Sequence, residues 1–183
     1  MVLRRGFKQE ANEYAREFRE ELHLRPYEPL NPWDLAQYLE IDVMPLSSFK
    51  QAVPESVDHL MQVDRSSFSA TTVFYGIKRL IIVNDAHSDS RQASDLSHEL
   101  AHGILGHPPT EPFNEFGCRN FNPDLEEEAN WLGPALLISE EAALSIARLG
   151  MSRADAASQY GCTQSVVRMR LNVTGAAKRV GRR

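Results

Sequence analysis

The stretch DLSHELAHGILGH, residues 95–107, sets His98 and His102 four positions apart with Glu99 directly after the first of them. On a helix, side chains at i and i+4 lie on one face with their Cβ atoms about 5 to 6 Å apart. Both imidazoles can therefore turn a ring nitrogen toward a single point and bind one divalent cation there. The spacing is that of the H-E-x-x-H motif, in which the glutamate acts as a general base.

A catalytic zinc ion takes three protein ligands and keeps a water molecule in its fourth position. His107 follows His98 by nine residues, whereas the metzincin motif requires a histidine at the tenth, where Pro108 stands. We therefore interpret His107 as a loop histidine, or as a residue that contacts a metal ligand without binding the metal itself.

The segment EEEAN, residues 126–130, offers a better candidate for the third ligand than His107. Glu126 and Asn130 share a helix face at i and i+4, so that Glu126 can bind the metal while Asn130 orients an imidazole. We expect Glu127 and Glu128 to be solvated charges. The predicted site thus holds one Zn²⁺ ion, with His98, His102 and Glu126 as ligands and Glu99 as the catalytic carboxylate.

Such a residue set predicts the hydrolysis of an amide bond. A zinc ion in a hydrolytic site makes a water molecule more acidic and polarises a carbonyl group. Glu99 can take the proton of that water as general base. The oxyanion donor that the reaction also needs is not evident from the motif.

Periodicity outward from the motif predicts an α+β fold. Apolar residues at spacings of three and four predict a helix over residues 7–22, and Asn31 with Pro32 opens a second. Helix resumes near residue 90 and ends at Gly106, before an irregular loop over residues 107–122. Short β-branched and aromatic runs predict a small, mostly antiparallel sheet between residues 41 and 85, with strands in IDVMPL, HLMQVDR, ATTVFYG and RLIIVND.

A helix that begins at Asn122 and Pro123 is the second member of a predicted active-site helix pair. Gly133 and Pro134 are expected to kink it. Three short helical patterns follow residue 139. We divide the chain into a metallopeptidase-type domain over residues 1–138 and a helical segment over residues 139–183.

The C-terminal segment is basic, although the whole chain of 183 residues has a formal net charge of −5. After residue 140 there are eight Lys and Arg residues against two acidic ones. Two helical patterns with a turn at Gly161 and Cys162 fit a helix-turn-helix, and the second carries Arg168 and Arg170. Two basic side chains are thin support for DNA contact, so packing against the rest of the protein or against a protein substrate is the favoured interpretation.

The composition is that of an ordinary globular protein, with 42% hydrophobic and 25% charged residues. The N-terminal sequence has no apolar core after its positive charges, and no apolar run approaches the ~20 residues that span a membrane. Cys118 and Cys162 lie far apart, as in proteins of a reducing compartment. We expect a cytoplasmic protein without membrane contact.

These motifs resemble the ImmA/IrrE family of metallopeptidases. The resemblance covers most of the chain, and its central motifs occur in the family's order and at similar spacing: a strand, Arg91 with Gln92, H-E-x-x-H, and E-x-x-A-N. The chain departs from the family in the second helix, which commonly runs unbroken to Leu-Leu-Met-Pro. Here Gly133 and Pro134 fall within it and LLIS stands at its end.

The resemblance implies a small zincin-like fold and a cytoplasmic, site-specific endopeptidase. The family's known targets are helix-turn-helix repressors of the Cro/CI type, whose cleavage relieves repression. By matching motif positions, His98, His102 and Glu126 are the implied zinc ligands and Glu99 the implied catalytic residue. The strand before the metal helix, either ATTVFYG or RLIIVND, is expected to offer its edge to an extended substrate segment.

Two alternatives remain open from the sequence. The first is a DNA-binding or partner-binding regulatory module with a structural or vestigial metal site, in which Arg168 and Arg170 contact DNA. The second keeps the enzyme and changes its substrate to an antitoxin-like partner protein.

Overall fold

The computed structural model describes residues 3–76, 78–108 and 122–181, and these form nine α-helices and a three-stranded sheet. The elements before the motif are α1 (Phe7–Glu21), α2 (Pro32–Tyr38), β1 (Asp42–Pro45), α3 (Pro54–Asp58), β2 (Ala70–Tyr75) and β3 (Lys78–Val83). They are followed by α4 (Asp89–Ile104), α5 (Pro123–Leu137), α6 (Glu140–Arg148), α7 (Arg153–Gln159), α8 (Gln164–Thr174) and α9 (Ala176–Val180). The mixed α+β class is confirmed. Most of the loop predicted over residues 107–122, including Cys118, lies outside the described residues.

Helices α2 and α5 begin at the predicted caps. The Oδ1 atom of Asn31 accepts a hydrogen bond from the backbone N–H of Trp33 at 3.0 Å, and that of Asn122 accepts one from Asp124 at 3.1 Å. Each asparagine is followed by a proline in the first turn, where no backbone N–H is needed. Local sequence therefore fixes where both helices start.

The sheet has the strand order β1-β3-β2, with β3 in the centre. Strands β1 and β3 are parallel, whereas β2 and β3 are antiparallel, with Thr72 opposite Ile81. The sheet is therefore mixed, and the expectation of a mostly antiparallel sheet holds for one of its two strand pairs. Because β3 is paired on both sides, RLIIVND cannot offer an edge to a substrate. Of the two strands considered for this role, ATTVFYG, which forms β2, is the one at an edge of the sheet.

The prediction of a strand in HLMQVDR, residues 59–65, is wrong. Pro54 opens α3, and one turn of π-helix, His59–Val63, continues it. None of the side chains in that turn is buried, whereas a strand of the sheet would bury alternate residues. A short apolar run fits the helical and the extended period equally well. Here the helical conformation is adopted because Pro54 starts a helix just before this run.

Two clusters of buried side chains form the interior. The first joins α1, α2, the sheet, α4 and most of α5, and the second joins the end of α5 to α6, α7, α8 and α9. The proposed boundary between residues 138 and 139 falls next to the junction of the clusters, but the division into two domains stays a prediction. None of the described helices is both long and apolar enough to cross a membrane.

Two buried arginines bind the carbonyl groups that the C-terminus of α5 leaves without helical partners. Arg19 of α1 donates to the carbonyl oxygens of Leu136 at 2.8 Å and Leu137 at 3.1 Å. Arg170 of α8 donates to the carbonyl oxygen of Ile138 at 2.8 Å and to Asn12 Oδ1 at 2.9 Å. Burial lowers the pKa of each guanidinium to about 10, so both remain charged at neutral pH.

The position of Arg170 corrects an expectation from the sequence. Its side chain is fully buried, whereas Arg168 is exposed. Arg170 therefore cannot take part in the DNA contact assigned to this pair. The helices α7 and α8 exist as predicted, but one of the two basic side chains that favoured a DNA-binding function is a structural residue.

Gly133 allows α5 to approach α4 closely. A Cβ atom built on Gly133 would lie 3.1 Å from the Cα and N atoms of His98 and 3.1 Å from the carbonyl oxygen of Ser97. Helix α5 runs through Gly133 and Pro134 to Leu137, so these residues do not interrupt it. Glu126 lies seven residues, or two turns, before Gly133 and so on the same face of α5. The glycine thus sets the distance between the two helices that carry the motif residues.

We expect Gly133→Ala to lower the free energy of unfolding by about 1 to 3 kcal/mol, because three backbone atoms of α4 cannot move aside independently. Gly103→Ala in α4 is the matched control. An added Cβ there lies 2.8 Å from Arg79 Nη1, the flexible end of a side chain. Urea denaturation of both variants checks this, and equal stability would contradict the close packing at Gly133.

Candidate metal centre

Three side chains from two helices meet at one point. His98 and His102 project from α4, and Glu126 projects from the first turns of α5. The Nε2 atom of His98 lies 3.2 Å from Glu126 Oε2, and that of His102 lies 3.6 Å from Glu126 Oε1. The two Nε2 atoms are 3.2 Å apart. The structure therefore brings together the three residues for which the sequence predicted a common ligand role.

The donor set fits a metal ion. One potential ligand atom from each residue lies within 4.8 Å of the others, and these three residues make up the cluster among the described parts of the chain. Two imidazoles and one carboxylate are a known ligand set of hydrolytic zinc sites. Their side chains remain 21 to 31% exposed, so solvent reaches the centre. Three ligands with access for water are typical of a catalytic rather than a structural site.

The surroundings shift the pKa values of the two histidines in opposite directions. Burial lowers the pKa of His98, but the hydrogen bond with Glu126 and the charges of Glu99, Glu126 and Asp95 outweigh burial and raise it. The pKa of His102 is lowered, first by burial and then by the neighbouring His98. His102 is therefore the more readily neutral imidazole, as metal binding requires.

Glu99 is held by a strand residue. Its Oε2 atom accepts a hydrogen bond of 2.6 Å from the hydroxyl of Thr72, in the middle of β2. The carboxylate expected to act as general base thus lies between the metal-binding face of α4 and the edge strand. The sequence contained no signal for Thr72, because this contact joins residues 27 positions apart across two elements.

Two residues were expected to support the site from outside the ligand set, and the structure places Asn130 differently from the prediction. Asn130 is exposed, and a histidine rather than this amide contacts a ligand imidazole. That residue is His107, whose Nδ1 atom lies 2.8 Å from Nδ1 of His102. The interpretation of His107 as a supporting residue agrees with this geometry.

Glu127 is exposed as expected, but Glu128 is not a solvated charge. Its Oε2 atom lies 3.2 Å from Nε2 of His107, and its Oε1 atom accepts a hydrogen bond of 2.7 Å from Arg4. The side chain keeps 14% of its surface exposed. The expectation failed because the partners of Glu128 come from the chain after α4 and from the N-terminal segment, neither of which helical spacing on α5 can reveal.

Comparison with known families identifies a peptidase family. The model of a peptidase family, M78, described as the IrrE N-terminal-like domain, matches residues 36–172. That range includes the three strands of the sheet, α4, α5 and all four residues of the predicted site. Neither a curated protein nor a solved structure matches the chain significantly.

Proposed function

The chain belongs to peptidase family M78, and from that membership we propose that it is a zinc-dependent endopeptidase that cleaves a specific partner protein. The observation that carries the proposal is the convergence of His98, His102 and Glu126, together with Glu99, whose charge acts on His98. A metallopeptidase needs this combination of a cation site open to water and an adjacent carboxylate.

In the proposed reaction, His98, His102 and Glu126 would hold the zinc ion. When bound, zinc supplies a positive charge that polarises the scissile carbonyl and makes the attacking water more acidic. Glu99 takes the proton from that water and passes it to the nitrogen of the leaving amine. The hydroxyl of Thr72, which donates to Glu99 Oε2, keeps the carboxylate in a fixed orientation during both transfers.

We further propose that the substrate binds as an extended segment along β2. In the described sheet, β2 pairs with β3 on one side, so its other side can accept main-chain hydrogen bonds from a peptide. Thr72 connects this strand to Glu99. A peptide at this edge would therefore present its carbonyl groups near the candidate metal centre.

The substrate we propose is a helix-turn-helix repressor of the Cro/CI type, cut in the cytoplasm to relieve repression. The resemblance to ImmA/IrrE proteins supports this choice, and an antitoxin-like partner is the competing substrate. The DNA-binding alternative is less well supported than the sequence indicated, because Arg170 is buried. Of the two basic residues to which DNA contact was assigned, Arg168 is the one that is exposed.

We expect the zinc-loaded chain to cut a Cro/CI-type repressor encoded beside its own gene at one site. Intact-mass spectrometry of the products measures this, with casein and an unrelated repressor as controls for specificity. A chelator should abolish cleavage, and added zinc should restore it. An intact repressor together with a cut antitoxin-like neighbour would refute the proposed substrate, and no cleavage of any of these proteins by a fully loaded chain would refute the peptidase function.

A further inference from the structure

A line of polar side chains runs from the back of His102 to the N-terminal segment. The Nδ1 atom of His102 faces Nδ1 of His107 at 2.8 Å, and Nε2 of His107 faces Glu128 Oε2 at 3.2 Å. Glu128 Oε1 is bound by Arg4 Nε at 2.7 Å. We call these three residues behind His102, namely His107, Glu128 and Arg4, the supporting chain.

The end of α4 places His107 against His102. Gly106 adopts a left-handed conformation with φ of +64°, which a residue without a side chain adopts at little cost. The N–H of His107 then donates to the carbonyl of His102 at 3.0 Å, and that of Gly106 donates to Gly103 at 3.1 Å. This pair of bonds is a Schellman motif, which reverses the chain at a helix end. The reversal folds the His107 ring back onto the metal helix.

The hydrogen-bonding capacities of the supporting chain determine where its protons lie. An ionised carboxylate only accepts, so Nε2 of His107 must carry the proton that faces Glu128. A neutral His107 then has a lone pair on Nδ1, which requires the proton on Nδ1 of His102. A neutral His102 with its proton on Nδ1 has its lone pair on Nε2, and Nε2 is the atom that faces Glu126.

We propose that His107 and Glu128 are positioning residues, which fix His102 in the tautomer whose Nε2 lone pair points to the cation. The inference rests on the metal site of the proposed function. Outer partners of ligand histidines set ring orientation and tautomer in this way in many metal sites. The His107 side chain is 6% exposed, so water does not readily replace Glu128 as its partner.

Arg4 extends the support to the N-terminal segment. Its guanidinium binds Glu10 on α1 through two hydrogen bonds of 2.6 and 2.7 Å, in addition to Glu128. It also lies over the ring of Phe7, with Cζ 4.9 Å from the ring centre. Arg4 thereby fixes the orientation of the Glu128 carboxylate relative to His107.

The first test is the zinc dissociation constant, measured by competition with a chromophoric chelator. We expect His107→Leu to weaken zinc binding by about 10- to 100-fold, the usual cost of losing such a partner. Glu128→Ala should weaken binding in the same direction, and Glu128→Gln, whose amide oxygen can still accept from His107, should restore most of it. Glu127→Ala, at the exposed neighbour, is the matched control and should bind as the unaltered chain does.

The second test reads the tautomer directly in the metal-free chain. Nitrogen-15 chemical shifts of the imidazoles should show His102 protonated on Nδ1 in the unaltered protein and in Glu127→Ala. In Glu128→Ala, they should show a mixture of both neutral tautomers. Thermal unfolding of the metal-free variants shows whether each one is folded, and Glu128→Ala carries the test if His107→Leu is not.

The outcomes separate this inference from the proposed function. If the unaltered chain binds zinc and all variants bind it equally well, His107 and Glu128 are not positioning residues and only the inference fails. A proton on Nε2 of His102 in the metal-free unaltered chain would also overturn it. If the unaltered chain binds no zinc, the proposed function fails. The tautomer of His102 in the metal-free chain then still shows whether His107 and Glu128 position its ring.

Discussion

Glu99→Gln is expected to lower kcat/KM for the protein substrate by about 10²- to 10⁴-fold, the range that a general base contributes. The amide has nearly the shape of the carboxylate, and its oxygen can still accept the hydrogen bond from Thr72. It cannot take a proton from water. The variant should therefore lose the chemical step while it keeps the structure around β2 and α4.

The measurement is a comparison of cleavage rates and zinc content for Glu99→Gln, the unaltered chain and Glu127→Gln. The last variant removes an exposed carboxylate from α5 and should leave both quantities unchanged. Zinc content should also be retained in Glu99→Gln, because Glu99 is not in the cluster of His98, His102 and Glu126. Full activity of a zinc-loaded Glu99→Gln variant would rule out the proposed role of Glu99.

The helices around the site could be predicted because their determinants are local. A capping asparagine followed by proline starts α2 and α5, and Gly106 follows the end of α4 with a left-handed backbone. The i, i+4 spacing of His98 and His102 needs nothing beyond a helix to bring the imidazoles together. Glu126, the third potential ligand, could be identified from the sequence because it lies in the first turn of the next strongly helical segment after the loop.

The sheet was predicted less well because pairing depends on distant residues. ATTVFYG and RLIIVND correspond to the antiparallel pair β2 and β3, but the parallel pairing of β1 with β3 joins segments 38 residues apart, such as Asp42 and Leu80. The local sequence of each strand does not indicate which of the three lies in the centre of the sheet. The run HLMQVDR was assigned to a strand on its composition, but its first five residues, His59–Val63, continue α3 as a turn of π-helix.

Charged residues were the hardest to interpret. Glu127 and Glu128 are identical in the sequence pattern, yet one is exposed and the other contacts His107 and Arg4. Arg168 and Arg170 lie two residues apart on α8, and only Arg170 reaches the carbonyl of Ile138. A long charged side chain acquires its role from the groups that the fold brings near it, which a single sequence does not contain.

The second large effect is expected at Glu126. Glu126→Ala removes one of the three potential ligands, so zinc binding should weaken by more than about 100-fold, the upper end of the cost of losing only an outer partner. The site remains partly exposed, with the Glu126 side chain at 31%, so the metal-free chain should tolerate the change. Glu127→Ala, one residue further along α5, removes an exposed carboxylate and is the matched control.

Thermal unfolding with and without zinc measures the effect, because a ligand that binds the folded state stabilises it by RT ln(1 + [L]/Kd). At a zinc concentration far above both dissociation constants, a 100-fold weaker affinity reduces that stabilisation by about 2.7 kcal/mol. The unaltered chain and Glu127→Ala should show the full increase in melting temperature, and Glu126→Ala a much smaller one. Since α5 brings Glu126 to the two histidines through its contact at Gly133, equal zinc-dependent stabilisation of both variants would mean that the meeting of α4 and α5 does not form the metal site.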